Sequence, residues 1–175
     1  MNFIRPALLF AAMLFLAACT SHVKDPVFHA GPEYNALCAA LAGDSSESVR
    51  ISAAEALSKL GYTASNSPLS KAVLSDSAPD VRRKCAELIE KTNDIDRDTD
   101  WRQTVTAQSP TAAALMTALA SDKDAGVRAA SAKALCKFRD NRIPSALATA
   151  LSSDKDAEVR SAAAESIGLL GKARP

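Results

Sequence analysis

The sequence predicts an all-α protein, a short right-handed α-solenoid of about four helical hairpins. Three observations lead to this fold class. At four places an Asp stands six residues before an Arg that is directly preceded by a Val. Apolar residues around these places follow helical spacing. Glycines and aromatic residues are few in a chain that is 47% hydrophobic. The four pairs are Asp44 and Arg50, Asp76 and Arg82, Asp122 and Arg128, and Asp154 and Arg160.

Each hairpin is predicted to consist of a helix A before the Asp and a helix B after it. A Leu lies seven residues before each Asp, and an apolar residue lies three before it. The Val before each Arg is followed by apolar or small residues at helical intervals, so these positions, among them Val49, Leu60 and Leu151, are predicted to face the core. Prolines suit the first turn of helix A, and glycines often follow the last turn of a helix. The sequence offers Pro32, Pro68, Pro110 and Pro144 for the starts of the A helices, and Gly61 and Gly171 for the ends of two B helices.

The spacing of the hairpins is regular except at one place. The Val residues are 32 apart between hairpins one and two and between hairpins three and four, but 46 apart between hairpins two and three. A period of this length is typical of a solenoid of helical hairpins. With their D-x-x-x-x-V-R core, the units resemble HEAT repeats, and most closely the short PBS-lyase HEAT-like kind. The resemblance covers about 32–175, with units at about 32–62, 67–93, 109–140 and 143–173 and an insertion at about 94–108.

The repeated Asp and Arg are interpreted as structural residues. An Asp in the turn between two helices is placed to accept hydrogen bonds from N–H groups that open helix B. An Arg in the first turn of helix B reaches the Asp of its own unit or of the adjacent one. The resemblance to HEAT proteins implies that the four pairs form a ladder along the stack. The alternative is a carboxylate site for catalysis or metal, but a residue present in every unit favours stacking over a single site.

Residues 1–18 are predicted to be a lipoprotein signal peptide. Arg5 supplies a positive charge, and an unbroken run of twelve apolar residues follows at 7–18. This run is too short for a transmembrane helix, which needs about 20 residues, but it suits a signal peptide. It ends in Leu16-Ala17-Ala18-Cys19, which resembles the lipobox of bacterial lipoproteins. The alternative is an ordinary secretory leader that happens to contain a Cys.

The resemblance to lipoproteins implies that Cys19 is lipidated and becomes the mature N-terminus. Two or more acyl chains attach a protein stably to a membrane. Thr20 follows, and the absence of Asp at this position resembles an outer-membrane address, so we expect a bacterial envelope protein facing the periplasm. Residues 19–31 are predicted to be a tether, and His22 and His29 are interpreted as solvated residues within it.

Composition and residue types argue against several functions. Lys and Arg total 21 and Asp and Glu total 20, whereas a nucleic-acid partner usually requires a basic excess. The chain has no His after His29, so the repeats offer no imidazole to activate a Cys nucleophile. Cys85 is predicted to lie in the core, Cys136 to be exposed, and Cys38 to lie on a helix flank. Among proteins with similar repeats, bilin lyases work in another compartment, and deoxyhypusine hydroxylases bind two irons through His-Glu pairs that do not occur here.

The favoured function is therefore a non-catalytic scaffold without cofactor that binds another protein. Helical-hairpin solenoids present their B helices as a concave surface, and positions +2, +6 and +10 after each Val are predicted to line it. Those with chemical interest are Glu55, Lys59, Arg83, Glu87, Lys91, Lys133, Lys137 and Glu165, with Ile51, Ala129, Ser161 and Leu169 at the remaining positions. Several of the charges are Glu–Lys pairs at i,i+4, which alternatively serve only to solvate the helices. The other functions considered are an accessory subunit of an enzyme or chromophore-lyase-like system, and a calcium-binding envelope protein.

The insertion between hairpins two and three has several interpretations. It either splits the solenoid into two pairs of hairpins or lengthens the second helix B before a loop. Its alternating acidic residues are a weak calcium candidate, because the EF-hand pattern fails at the positions that need Gly and Glu. They are Asp94, Asp96, Asp98 and Asp100. Trp101, the only Trp, is predicted either to fill the gap between the two pairs or to anchor a partner.

We predict that Cys19 is lipidated in the mature protein. Cys19→Ser removes the thiol that would carry the lipid, so this variant should enter the soluble fraction or remain as an uncleaved precursor. Fractionation and intact-mass spectrometry of both forms check this. A wild-type mature chain without lipid would contradict it.

Overall fold

The computed structural model describes residues 31–60, 68–91 and 109–172, and these ranges contain α-helices and no strand. The helices form four antiparallel hairpins, each made of a helix A and a helix B, which confirms the predicted α-solenoid. The four hairpins are α1 (Pro32–Gly43) and α2 (Glu47–Lys59), α3 (Pro68–Ser75) and α4 (Pro79–Lys91), α5 (Pro110–Ser121) and α6 (Ala125–Leu135), and α7 (Ile143–Ser153) and α8 (Ala157–Lys172).

The A helices begin at or next to their prolines, as the sequence predicts. Pro32, Pro68 and Pro110 are the first residues of α1, α3 and α5, and Pro144 is the second residue of α7. Proline loses nothing here, because the N–H groups of the first turn have no partner within the helix. At α5 the Ser109 hydroxyl also accepts a hydrogen bond from the Ala112 N–H at 3.4 Å.

The Asp of each unit closes the turn between helix A and helix B. In the third unit the Asp122 N–H donates to the Ala118 carbonyl at 3.0 Å, and the Asp122 carboxylate accepts from the Asp124 N–H at 2.9 Å. Asp122 therefore accepts from the N–H of the residue just before helix B, and not from an N–H group of helix B itself. Asp124 caps α6 by accepting from the Val127 N–H at 3.0 Å.

The core lies between the A and B layers and is built from Leu, Val and Ala. Leucines of both layers, among them Leu57, Leu69, Leu115, Leu135 and Leu147, are fully buried. Small residues such as Ala54, Ala86 and Ala132 lie at the same position of successive B helices and are fully buried. Neighbouring B helices contact each other more extensively than neighbouring A helices do. This packing agrees with the prediction that the B helices form the concave side.

The insertion does not split the solenoid, so that interpretation is wrong. Helix α4 packs directly on α6, and α3 packs on α5, as neighbouring units do elsewhere in the stack. Arg82 and Asp122 also form an ion pair across this boundary with an Nε–Oδ2 distance of 2.7 Å. The described part of α4 ends at Lys91, and residues 92–108 lie outside the described ranges.

Several positions predicted to be core are exposed because they lie at an end of the stack. Val49 is 41% exposed, whereas its equivalents Val81, Val127 and Val159 are fully buried. Leu151, at the other end, is 39% exposed, and its equivalent Leu119 is buried. Each of these positions faces a neighbouring unit, and the first and last units each have only one neighbour. Leu60, which directly follows α2, is 47% exposed and is also not a core residue.

Two further predictions are corrected by the helix packing. Gly171 does not end a helix: α8 continues to Lys172, and Gly171 lacks the left-handed backbone conformation that a glycine after a helix end adopts. Cys38 is buried rather than on a flank, because its side of α1 is covered by the second unit. Cys85 is buried as predicted, and Cys136 is half-buried rather than exposed.

We predict that buried residues of the inner units contribute most to the free energy of unfolding. Leu115→Ala removes a fully buried side chain from between two neighbours and should lower the free energy of unfolding by about 2–5 kcal/mol. Leu74→Ala, at a residue that is 50% exposed, is the matched control and should change it by less than about 0.5 kcal/mol. Urea denaturation followed by circular dichroism measures both, and equal effects would refute this account of the core.

Candidate functional site

Consecutive units are joined by bidentate ion pairs between an Arg and the Asp of the next unit. Arg82 donates from Nε and Nη2 to the two carboxylate oxygens of Asp122 at 2.7 and 2.8 Å, and from Nη1 to the backbone carbonyl of Asp76 at 2.9 Å. The guanidinium therefore bonds both to the turn of its own unit and to the turn of the next unit. This paired geometry is the strong form of an Arg–carboxylate contact. The same arrangement joins Arg50 to Asp76 and the Asp44 carbonyl, and Arg128 to Asp154 and the Asp122 carbonyl.

The ion pairs hold the carboxylates in their charged form. Burial by itself would raise the pKa of Asp122, but the hydrogen bonds from Arg82 and from the Asp124 N–H outweigh it and lower this pKa. The hydrogen bond from Arg128 lowers the pKa of Asp154. Both groups therefore contribute stability above their ordinary pKa, and this contribution is lost as the pH falls through the lowered value.

The ladder is incomplete at both ends of the described stack. Arg160 donates from Nη1 to the Asp154 carbonyl at 2.8 Å, as the other Arg residues do in their units, but no described residue accepts from its Nε and Nη2. The Asp44 carboxylate accepts from the Ser46 N–H at 2.8 Å, and no described Arg contacts it. Asp44 and Arg160 therefore each have no described partner for the ion pair that the equivalent residues form at the inner joints.

Two cysteine thiols among the described residues, those of Cys85 and Cys136, do not form a candidate catalytic site. Burial raises the pKa of the Cys85 thiol to about 12, and burial also raises the pKa of Cys136. Such thiols are poor nucleophiles at neutral pH. No group of three or more His, Cys, Asp or Glu in the described ranges is arranged to hold a metal ion.

The structure places most of the predicted B-helix residues on one open surface. Arg83, Lys59, Lys91, Lys137 and Glu165 are exposed, and the side chains of Glu55, Glu87 and Lys133 are partly so. Among the uncharged positions, Ser161 and Leu169 are exposed and Ile51 is partly buried. Ala129 is buried, so its assignment to the surface is wrong.

The acidic residues on this surface do not pair with the lysines one turn along their own helices. Glu55 instead bonds Lys84 of the next unit at 2.8 Å, and this bond lowers the pKa of Glu55. Glu87 lies 3.9 Å from Arg83, which also bonds Asp80 at 2.5 Å. Sequence reasoning missed Lys84, which stands at position +3. Ala130 and Ala162 occupy position +3 in later units and are buried. The position within the repeat could therefore have indicated that Lys84 faces a neighbouring unit.

Three lysines at position +10 form a row along the concave side, which we call the lysine row: Lys59, Lys91 and Lys137. All three are exposed and lie at or just beyond the carboxyl ends of α2, α4 and α6. None of them forms a salt bridge within the described part of the chain: Glu55 bonds Lys84, and Lys59 and Lys91 act on Glu55 only at longer range. Neighbouring helix axes are about 8–10 Å apart, so the row presents positive charges at roughly that spacing.

Comparison with known proteins agrees with this architecture. The family model for HEAT repeats matches residues 28–100 and 102–173. The chain belongs to the HEAT-repeat family. HEAT repeats generally mediate protein–protein interaction or scaffolding and are generally non-catalytic. No curated protein matches the chain.

Other predicted features lie outside the described residues. They are the signal peptide with Cys19, the tether with its two histidines, the acidic residues Asp94, Asp96, Asp98 and Asp100, and Trp101. Within the described ranges, none of the HEAT-repeat helices combines the length and hydrophobicity needed to cross a bilayer.

We predict that Asp122 and Asp154 stabilise stacking, and that the loss of Asp154 destabilises fewer units than the loss of Asp122. Asp122→Ala removes the partner of Arg82 at an inner joint and should lower the free energy of unfolding by about 1.5–3 kcal/mol, as expected for a hydrogen bond between charged groups. Asp154→Ala acts on the last joint, so it should open the C-terminal hairpin first and affect the other units less.

Chemical denaturation measures the two costs, and hydrogen exchange locates the opening. Asp80→Ala, at an exposed Asp outside the ladder, is the control and should change stability by less than about 0.5 kcal/mol. If both ladder variants unfold like the wild type but lose a bound partner, the carboxylates belong to a functional surface instead.

Proposed function

We propose that this HEAT-repeat protein is a non-catalytic scaffold of the bacterial envelope that binds an acidic segment of another protein along its concave side. The observation that carries the proposal is the lysine row. Three positive charges are exposed on the side of the solenoid where repeat proteins bind their partners, and no described acidic residue lies within salt-bridge distance of them.

The arrangement of charges around the row supports an acidic partner. Glu55 is held by Lys84, and Glu87 lies next to Arg83, so both carboxylates are partly neutralised by other cations. Lys133 and Lys137 stand one turn apart at the third unit without an intervening acid. A partner that presents carboxylates at matching intervals would gain charge complementarity, which gives specificity and fast association.

The proposed envelope location depends on the leader. The apolar run at 7–18 and the Leu16-Ala17-Ala18-Cys19 motif support lipid attachment at Cys19, and Thr20 supports the outer membrane, with the repeats in the periplasm. Gly31 lies twelve positions after Cys19, a distance of about 40 Å when the chain is fully extended. The membrane anchor would therefore hold the first repeat within about 40 Å of the lipid surface. The division into 1–18, 19–31 and 32–175 belongs to the same proposal.

We predict that reversing the lysine row abolishes partner capture. The triple variant Lys59→Glu, Lys91→Glu and Lys137→Glu replaces attraction with repulsion along the concave side. Crosslinking in intact cells, followed by affinity purification of the tagged full chain and quantitative mass spectrometry, should show at least about a tenfold loss of the partner. Exposed charge contacts are typically worth about 0.2–1 kcal/mol each, so the loss of three of them is comparable to the roughly 1.4 kcal/mol of a tenfold change.

A matched triple variant keeps this test specific. Lys71→Glu, Lys123→Glu and Lys155→Glu make the same change of net charge at exposed residues of α3 and of the turns between A and B helices. This control should capture the same partner as the wild type. Equal capture by all three proteins, or equal loss in both variants, would contradict binding along the lysine row.

A further inference from the structure

The side of each unit that faces the next unit is recognisable from burial. Position −3 relative to the Asp and position +5 after the Val are buried in the first three units, for example at Leu119 and Ala132. In the fourth unit the equivalent residues are Leu151 and Ala164, and both are exposed. With Arg160, these two residues define what we call the rear face of the stack. It keeps the residue types of an internal interface, although no described unit follows it.

The opposite end of the stack has the complementary half of the same interface. The Val before each Arg packs against the preceding unit and is fully buried in units two to four, as at Val127. Val49 of the first unit is 41% exposed. Together with Asp44, it defines the front face. Terminal units of stable solenoids usually carry polar outer faces, whereas here both ends keep an apolar residue at the contact position.

The charges on the two faces also match. Arg160 is held by the Asp154 carbonyl at 2.8 Å, the same contact that orients the Arg of every inner joint. Arg160 is therefore held at Nη1 as Arg82 and Arg128 are, and its Nε and Nη2 are bonded to no described residue. Asp44 has the same turn geometry as Asp76 and Asp122, with its carboxylate accepting from the N–H two residues on at 2.8 Å. The guanidinium and the carboxylate are therefore preorganised for each other.

We propose that the protein associates head to tail, with the rear face of one copy seated on the front face of a second copy. Arg160 of the first copy pairs with Asp44 of the second, and Leu151 and Ala164 cover the Val49 side of its first unit. The contact repeats the joint that occurs three times within the chain. Because it joins two different faces, it extends from copy to copy rather than closing as a twofold dimer. It does not depend on the lysine row or on its partner.

Reciprocal charge reversal tests this contact. The purified full chain is studied by sedimentation velocity over a range of concentrations, together with Asp44→Arg, Arg160→Asp and an equimolar mixture of these two variants. In Asp44→Arg both faces carry Arg, and in Arg160→Asp both carry Asp, so neither variant can form the joint with itself. In the mixture, each face of one variant finds the opposite charge on the other.

The wild type should form species larger than one chain as its concentration rises. Each single variant should weaken this association at least about tenfold, since a charge-assisted contact at an interface is worth more than 1.4 kcal/mol. The mixture should regain it. Arg139→Asp, at an exposed Arg away from both end faces, makes the same charge change as Arg160→Asp and should associate like the wild type. Circular dichroism melting of each variant shows whether the fold is kept, and recovery in the mixture also requires folded chains.

Three results would overturn the proposal. One is a wild type that stays monomeric at every concentration, as expected if residues before 31 or after 172 cover the end faces. Another is association that survives both single reversals, which would place the contact elsewhere. The third is a mixture that remains monomeric while both variants are folded. Reversal of the lysine row should leave self-association unchanged, so this test and the partner test fail independently.

Discussion

The register of the whole stack depends on one guanidinium that contacts two turns. In each inner joint, the Arg is first fixed by a carbonyl of its own turn and then bonds both oxygens of the next Asp. A bidentate pair restrains orientation as well as distance, so each unit adopts nearly the same rotation relative to the one before it. Equivalent positions of the B helices consequently fall in line, and this alignment is what turns three separate lysines into a row.

Packing follows the same nearest-neighbour logic. Alanine at the fifth position after the Val is buried in the first three units, and Leu119 is buried in the A layer. Consecutive B helices contact each other more extensively than consecutive A helices do. A position that faces a neighbouring unit is buried only where the structure describes that neighbour, as the contrast between Val49 and Val127 shows. In such an array, stability is a sum over units and joints.

Much of this fold was predictable from the sequence because each unit repeats the same helical pattern around its Asp and Arg. The prolines at the helix starts and the bounds of the units follow from that pattern. Which Asp each Arg binds did not, since the Asp of its own turn and that of the next unit are both within reach of the side chain. The bond between Glu55 and Lys84 joins two neighbouring units, so no spacing along a single helix indicates it. The exposure of Leu151 was also missed, because periodicity is the same for an inner unit and a last one.

The joint between Arg82 and Asp122 closes over 40 residues, whereas the joints on either side close over 26. The entropy of closing a chain grows only with the logarithm of its length, so the extra residues cost about 0.4 kcal/mol. An ion pair with the geometry of its neighbours exceeds that cost. The length of the chain between the second and third units therefore has little effect on the free energy of folding. Evolution can add or remove sequence between the second and third units without disturbing the solenoid on either side, and an inserted module at this point would be presented from the middle of the array.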